Sequence, residues 1–364
     1  MKKYLFILLI IINGIFTSCK NGDWNFSDYE YTAVYFAYQT PIRTIVLGED
    51  VYDTSLDNEH KCQIIATMGG VYENMKDVEI GFRVDNSLCA NLTFNGTDVV
   101  VPMPTSYYSL SSSDKFVIPK KEILGRVTVQ LTDAFFADPQ ALKNTYVIPL
   151  VMTDVKNADK ILTGTPLVEN PNRLVSDHWD VKPKDYILYC VKYINQWDAS
   201  YLRRGKDQIT KNGNTTTEIR HALYVEKDEV CQLSSLSLTS LEFPMDYKTQ
   251  SGAQLDLKIK LNFDENQKCS VAPATTDYQI NDSVKVYNIT ASGNGQYVVK
   301  GEKKSWGDKD RDALYLNYEV GYNVETSYPN AGLPTDIQTV KYSTVDTLVI
   351  RDRGIKPETF TPVY

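Results

Sequence analysis

The sequence is poor in the residues that most often carry reaction chemistry. It has three histidines in 364 residues, His60, His178 and His221. Each sits in a polar stretch without a partner motif, so serine or cysteine nucleophiles activated by a nearby base have no visible support. HExxH, GxSxG and the phosphate-cradling GxxxxGK[ST] are missing, which leaves the metalloprotease, α/β-hydrolase and P-loop classes without their signatures. Carboxylate pairs for glycoside hydrolysis form in space rather than along a chain, so sequence is silent on them. No two of the six cysteines form a CxxC pair, and a zinc site therefore has no ligand spacing to rest on. Lys and Arg form no run and the net charge is -8, which argues against nucleic acid as a partner, because that needs clustered cations. The chain reads as non-catalytic and without a cofactor.

Long apolar runs are lacking too. The run from Tyr4 to Phe16, broken by Asn13 and Gly14, falls short of the roughly 20 residues that a spanning helix needs. Lys2 and Lys3 precede it and Thr17-Ser18-Cys19 follows, the order of a signal peptide over residues 1–18. "FTSC" resembles the lipobox at which bacterial lipoproteins are cleaved and acylated on the new N-terminal Cys, here Cys19. An ordinary secretory peptide with a chance Cys is the alternative. Acyl chains on Cys19 would hold the protein to a membrane, each buried methylene contributing roughly 0.8 kcal/mol. Residues 19–27 then form a tether. The stretch "KNGDWNFSDYE", which runs from the tether into the start of the next domain, carries Asp23, Asp28 and Glu30 and resembles the acid-bearing leaders that send some lipoproteins to the cell surface. The expected location is the outer membrane, lipid-anchored and facing the exterior. With Cys19 set aside, Cys62, Cys89, Cys190, Cys231 and Cys269 remain, an odd number that leaves no complete disulfide framework.

What the chain does have is β pattern. No long helical periodicity follows the leader; short runs recur instead, among them "YTAVYFAYQ", "CQIIATMGG", "VEIGFRVD", "GRVTVQLTD" and "TYVIPLVMTDV". In "RVTVQL" the apolar side chains alternate, the period-2 mark of a half-buried strand. Such runs, separated by Gly, Pro, Asn and Asp, read as a β-sandwich over residues 28–158. The segment 159–183, with "TGTPLVENPNRLVSDHWDVKP" at its heart, lacks either periodicity and reads as a linker, with Trp179 as an anchor between domains. From 184 to 364 the pattern restarts with "YILYCVKYINQW" and continues through "AQLDLKIKLNF", "GQYVVKGEKKSW" and "DALYLNYEVGY", joined by polar turns such as "DENQ" and "SGNG". Eight or so successive antiparallel strands can close on themselves and remove exposed edges. The expected fold class is all-β, a sandwich followed by a lipocalin-like antiparallel barrel; a second sandwich is the alternative. Tyrosine is abundant, at 25 residues, and serves both strand packing and ligand contact.

Two stretches carry possible site chemistry. In "SWGDKDRDALYLNYE", Asp308, Asp310, Asp312 and Glu319 match positions 1, 3, 5 and 12 of a calcium-binding EF-hand loop, but Ala313 stands where that loop needs Gly to turn sharply. The flanks alternate like strands, and at the rise of a strand Glu319 lies about 23 Å from Asp312. A charged hairpin is the simpler reading, and no metal site is expected. In "YINQWDASYLRRGK", Trp197, Asp198, Tyr201, Arg203 and Arg204 supply the aromatic platform and the acid and guanidinium groups that bind sugars. Alternatively Trp197 and Tyr201 close one end of the barrel and an Arg stacks over the Trp. Trp306 is a further candidate platform.

Three stretches resemble the second domain of two-domain surface lipoproteins of Bacteroidales: "VKPKDYILYCVKYINQWDASYLRRGKD", "KKSWGDKDRDALYLNYEV" and "DTLVIRDRGIKPETFTPVY". The first domain, with "TYVIPLVMTDV" near its end, is similar to the domain of unknown function found ahead of family 18 glycoside hydrolase modules. The resemblance implies an immunoglobulin-like N-terminal domain before a lipocalin-like barrel. It implies accessory proteins of polysaccharide-utilisation systems, some of them described as cell-adhesion proteins, and it assigns no binding residues. The expected function is carbohydrate binding at the cell surface beside outer-membrane glycan-uptake proteins. The alternative is an adhesion or structural module that contacts a host or partner protein.

Overall fold

A computed structural model describes residues 30–328 and 334–364; the expected signal peptide, Cys19 and the expected tether lie outside the described residues. The first domain is a sandwich of two sheets. Its main strands are β1 (Ala33–Tyr35), β2 (Pro41–Val46), β3 (Lys61–Gly69), β4 (Val78–Val84), β5 (Tyr108–Leu110), β6 (Lys115–Ile118), β7 (Leu124–Leu131), β8 (Tyr146–Lys156) and β9 (Tyr186–Ile194). One sheet has the order Lys160–Ile161, β1, β3, β7, β5, and the other Glu358–Thr359, β2, β9, β8, β4, β6. These orders correspond to the two sheets of an immunoglobulin-like sandwich. Alternation places Cys62, Ile64 and Ala66 of β3 and Val127 and Val129 of β7 in the core between the sheets, with Ile80, Phe116, Ile148 and Val191 opposite.

The second domain is a closed antiparallel barrel. Its strands are β10 (Ala199–Lys211), β11 (Glu229–Ser237), β12 (Ser240–Lys248), β13 (Gln254–Phe263), β14 (Lys268–Pro273), β15 (Val284–Glu302), β16 (Arg311–Thr326) and β17 (Asp336–Asp352). Each pairs with the next, and β17 pairs back onto β10 from Ser200↔Asp352 to Lys211↔Val340. Closure leaves this ring without an edge of its own. Side chains pack in its interior, Leu241, Phe243, Leu257, Ile259, Leu314 and Leu316 among them. The protein is thus all-β with two domains, a sandwich and a lipocalin-like barrel.

Three details differ from the sequence reading. The run "YILYCVKYI" was expected to open the second domain at 184, yet as β9 it pairs antiparallel with β8 and parallel with β2, inside the sandwich. Successive strand side chains point to opposite faces, so a run buried nearly throughout must be covered on both. Ile187, Tyr189 and Val191 enter the sandwich core, whereas Tyr186, Leu188 and Cys190 enter a second cluster with Leu92, Phe94 and Phe360. Second, Trp179 stays within its own segment: its indole N–H donates to the Asn172 carbonyl at 2.7 Å. Third, "SGNG" is not a turn but lies within β15. A Cβ at Gly295 would stand 2.4 Å from Leu316 Cδ2, so glycine there serves close strand approach.

The C-terminal tail leaves the barrel and returns to the sandwich. Glu358–Thr359 pairs with β2, and Phe360 packs on Phe94 with centroids 4.6 Å apart. Arg353 pins the junction, its guanidinium donating to the carbonyls of Asp198, Asn195 and, at 2.7 Å, Leu47.

Candidate functional site

The candidates around Trp197 are spent on the barrel. Trp197 is 2% exposed; its ring stacks on Phe263 at 4.0 Å and its N–H donates to Gln267 Oε1 at 2.8 Å. Buried Tyr201 donates to the Trp197 carbonyl at 2.7 Å. Asp198 accepts from the Ser235 N–H at 2.6 Å and hydroxyl at 2.7 Å, and burial lifts its carboxyl above the usual range against those bonds. Arg204 pairs with Asp228 at 2.6 Å. The Arg311 guanidinium lies 3.5 Å over the Trp306 ring, whose N–H donates to the Ile350 carbonyl. The grouping expected from sequence is therefore corrected. Alternation sends Tyr201 and Arg203 of β10 into the lumen and Arg204 outward, so residues adjacent in sequence do not share a site.

Arg203 belongs to a buried ionic network. Its Nε donates to Asp346 Oδ2 at 3.0 Å and its Nη2 to Tyr318 Oη at 3.0 Å, while Tyr318 donates to the same carboxylate at 2.8 Å. Arg220 bridges Asp346 and Asp207, each at 2.7 Å, and the Thr344 hydroxyl donates to Asp207 at 2.6 Å. Burial pulls Asp207 upward, but the bonds from Arg220 and Thr344 outweigh it and hold the carboxyl below its usual range. Gly205 makes room for the network, because a Cβ there would stand 2.1 Å from Asp346 Oδ1. Every guanidinium and carboxylate is paired, so the network stabilises one arrangement rather than presenting a reactive group.

Three of the four EF-hand-like acids also have protein partners. Asp310 accepts from Lys303 Nζ at 3.1 Å, Asp312 from Tyr297 Oη at 2.8 Å, and Glu319 pairs with Lys341 at 2.9 Å. The segment is the hairpin between β15 and β16, as expected. Among the described residues no group of three or more His, Cys, Asp and Glu is placed to hold a metal ion. The five cysteines Cys62, Cys89, Cys190, Cys231 and Cys269 are free and buried, and burial pushes each thiol up to about 12, which makes them inert.

A different place has the properties of a binding site. A cleft of about 470 Å³ lies between β2, the loop that follows it and the returning tail. Tyr38 and Tyr52 line it and are 69% and 65% exposed. Arg43 and Asp57 pair at its wall. Asp57, 2% exposed, also accepts the Val46 N–H at 2.9 Å, and burial raises its carboxyl above the usual range despite these partners. The loop is held at both ends: the Gly48 N–H donates to Asn58 Oδ1 at 2.7 Å and the Thr54 hydroxyl to the Gly48 carbonyl at 2.7 Å. On the tail side Glu358 is tied to Lys192 at 3.2 Å. Two accessible aromatic rings thus flank a preformed hollow with carboxylate and guanidinium groups, a mixture suited to a neutral polar ligand with apolar faces. Sequence reasoning missed these residues. Tyr38 sits in a run read as a strand and Tyr52 in the aperiodic "EDVYDTSLDN"; the high tyrosine content was the only signal.

Comparison with known proteins fits the two-domain division. A family model described as a domain of unknown function, DUF5627, matches residues 196–354, the extent of the barrel. A second, described as an N-terminal domain, matches residues 28–159. No curated protein matches the chain. A solved structure of unknown function from Bacteroides ovatus is 42% identical, with 92% of this chain and 99% of that chain covered and a TM-score of 0.79. A second Bacteroides ovatus structure of unknown function, 13% identical with a TM-score of 0.40, covers 91% of this chain and 99% of that chain. An auxiliary nutrient binding protein from Bacteroides thetaiotaomicron, 13% identical with a TM-score of 0.36, covers 84% and 90%. These last two likenesses are too weak to carry an argument. On the strength of the first, the chain belongs to the family of that Bacteroides ovatus protein, with a DUF5627 domain as its barrel.

Proposed function

We propose that the protein binds carbohydrate without catalysis, in the cleft beside Tyr38 and Tyr52, and serves as an accessory to outer-membrane glycan uptake. The observation that carries this reading is the pair of exposed tyrosine rings at a preformed cleft that also holds Arg43, Asp53 and Glu358. Sugars present apolar ring faces that stack on aromatics and hydroxyls that pair with acids and guanidinium groups. The acyl anchor on Cys19 and the outward-facing location belong to the same proposal and would hold the cleft near its substrate.

The adhesion alternative has its own support. The strand Asn214–Arg220 pairs with β10 alone, and Ile219, Leu223, Tyr224 and Val230 near that edge are exposed. Such a patch suits a protein partner. A glycan array probed with the chain from Lys20 onward separates the two. Binding that is lost in Tyr38→Ala and Tyr52→Ala supports the cleft; no binding to any glycan at high protein concentration overturns it and leaves adhesion. For the anchor, Cys19→Ala should move the protein from the membrane to the soluble fraction, and retention would refute acylation there.

A further inference from the structure

We infer that the ligand is an uncharged oligosaccharide long enough to occupy two adjoining clefts, the second at the junction of sandwich and barrel. The inference rests on the carbohydrate reading above and specifies its ligand. The second cleft, of about 530 Å³, is bordered by the loop after β2, by the β15–β16 hairpin and by the end of β17. Asp50, Tyr52 and Ile355 line both clefts, so the two hollows meet at the exposed Tyr52 ring. Each volume is in the ~300–1,000 Å³ range of sites that enclose a small molecule. A chain of sugars lying across Tyr52 would engage both at once, whereas a short sugar would fill only one.

Charge narrows the ligand class. The first cleft has two bases, Arg43 and Lys356, against four acids; the second has four bases against five acids. Bases and acids are both partly committed: on the acid side Glu358 pairs with Lys192, Asp310 with Lys303 and Asp352 with Arg351. Arg43 pairs with Asp57, Arg311 stacks on Trp306, and Arg353 donates to backbone carbonyls of Leu47 and Asp198. In the first cleft Asp50 and Asp53 face Lys356 once the Arg43–Asp57 and Glu358–Lys192 pairs are set aside, so a carboxylate or sulfate on the sugar would meet like charge there, which costs affinity. A neutral glycan meets hydrogen-bonding groups without that cost. The junction geometry also gives the second domain a role in binding, because Lys300 and Arg351 of the barrel border the second cleft.

Calorimetric titration of the mature full chain tests this with size ladders of neutral gluco-, manno-, galacto- and xylo-oligosaccharides, and with oligogalacturonides of the same lengths. Occupying a second linked cleft should raise affinity by at least about tenfold between the shortest and longest members of a binding ladder. Tyr38→Ala should weaken every length. Lys300→Gln with Arg351→Gln, both solvent-facing changes checked for an unaltered melting temperature, should weaken only the long members and return them to the short-chain affinity. Affinity independent of length, or long-chain affinity unmoved by the Lys300 and Arg351 changes, overturns the two-cleft inference while the carbohydrate reading stands. Tighter binding of oligogalacturonides than of neutral chains overturns the charge argument. Failure of every ladder to bind overturns the carbohydrate reading itself.

Discussion

In the barrel, Trp197, Tyr201 and Tyr318 are enclosed and their polar atoms find partners within the ring, whereas at the sandwich edge Tyr38 and Tyr52 stand exposed beside a cleft. The same residue class has opposite uses. A closed ring of eight strands has an inside that must be filled, and large aromatic side chains fill it. The sandwich edge near β2 is covered only by a loop and a returning tail, so rings there remain available. Guanidinium groups divide in the same way: Arg203 is locked between Asp346, Glu229 and Tyr318, while Arg43 pairs at the rim of the cleft. An aromatic and charged segment is therefore weak evidence for a site until its exposure is known.

The contrast can be broken first from the barrel side. Asp346→Ala leaves buried Arg203 and half-buried Arg220 without their shared carboxylate and should destabilise the protein by about 3–5 kcal/mol in chemical unfolding, as does removing one partner of a buried ion pair. A loss below about 1 kcal/mol would mean that the network contributes little. Gly205→Ala comes next, at about 1–3 kcal/mol, the cost of forcing a methyl group into a packed interior; its Cβ would stand 2.4 Å from the Val345 carbonyl as well as against Asp346.

A smaller effect comes from pH. Asp207 has a folded carboxyl held below its usual range, against about 3.9 in the unfolded chain. Its contribution is therefore present above about pH 4 and is lost as pH falls through the lowered folded value. Asp207→Asn should be less stable than the parent at neutral pH, and the gap should close as both are acidified. A gap that stays constant down to the lowest accessible pH would refute the linkage.

Smallest in stability are Tyr38→Ala and Tyr52→Ala, expected within about 0.5 kcal/mol of the parent because the rings are largely exposed. If either melts well below the parent, that ring is a structural one and the contrast with Trp197 collapses. Unchanged melting together with lost glycan binding sharpens it.

Much of the fold was legible in the chain. Alternation in "RVTVQL" and "AQLDLKIKLNF" marks half-buried strands whichever sheet they join, and β7 and β13 fall on those runs. The barrel was legible because its strands follow one another around the ring, so sequence order is spatial order. β9 was not, because a run buried on both faces lacks alternation and carries no mark of its partner. Its partners β8 and β2 lie at different distances along the chain, and the parallel pairing with β2 spans most of the sandwich. The cleft was less legible still, since it unites Tyr38, Tyr52 and the tail residues Ile355–Thr359, which are remote in sequence.

The chain by itself determined that this protein is built from strands, that one stretch of successive antiparallel strands could close into a ring, and that familiar catalytic and metal motifs are lacking. Those properties depend on local periodicity and composition, which neighbouring residues decide. Only the tertiary structure decided which tyrosines are buried and which face solvent, and that the C-terminal tail forms a wall of the cleft. Exposure is set by what covers a residue, and the covering segment here comes from the far end of the chain.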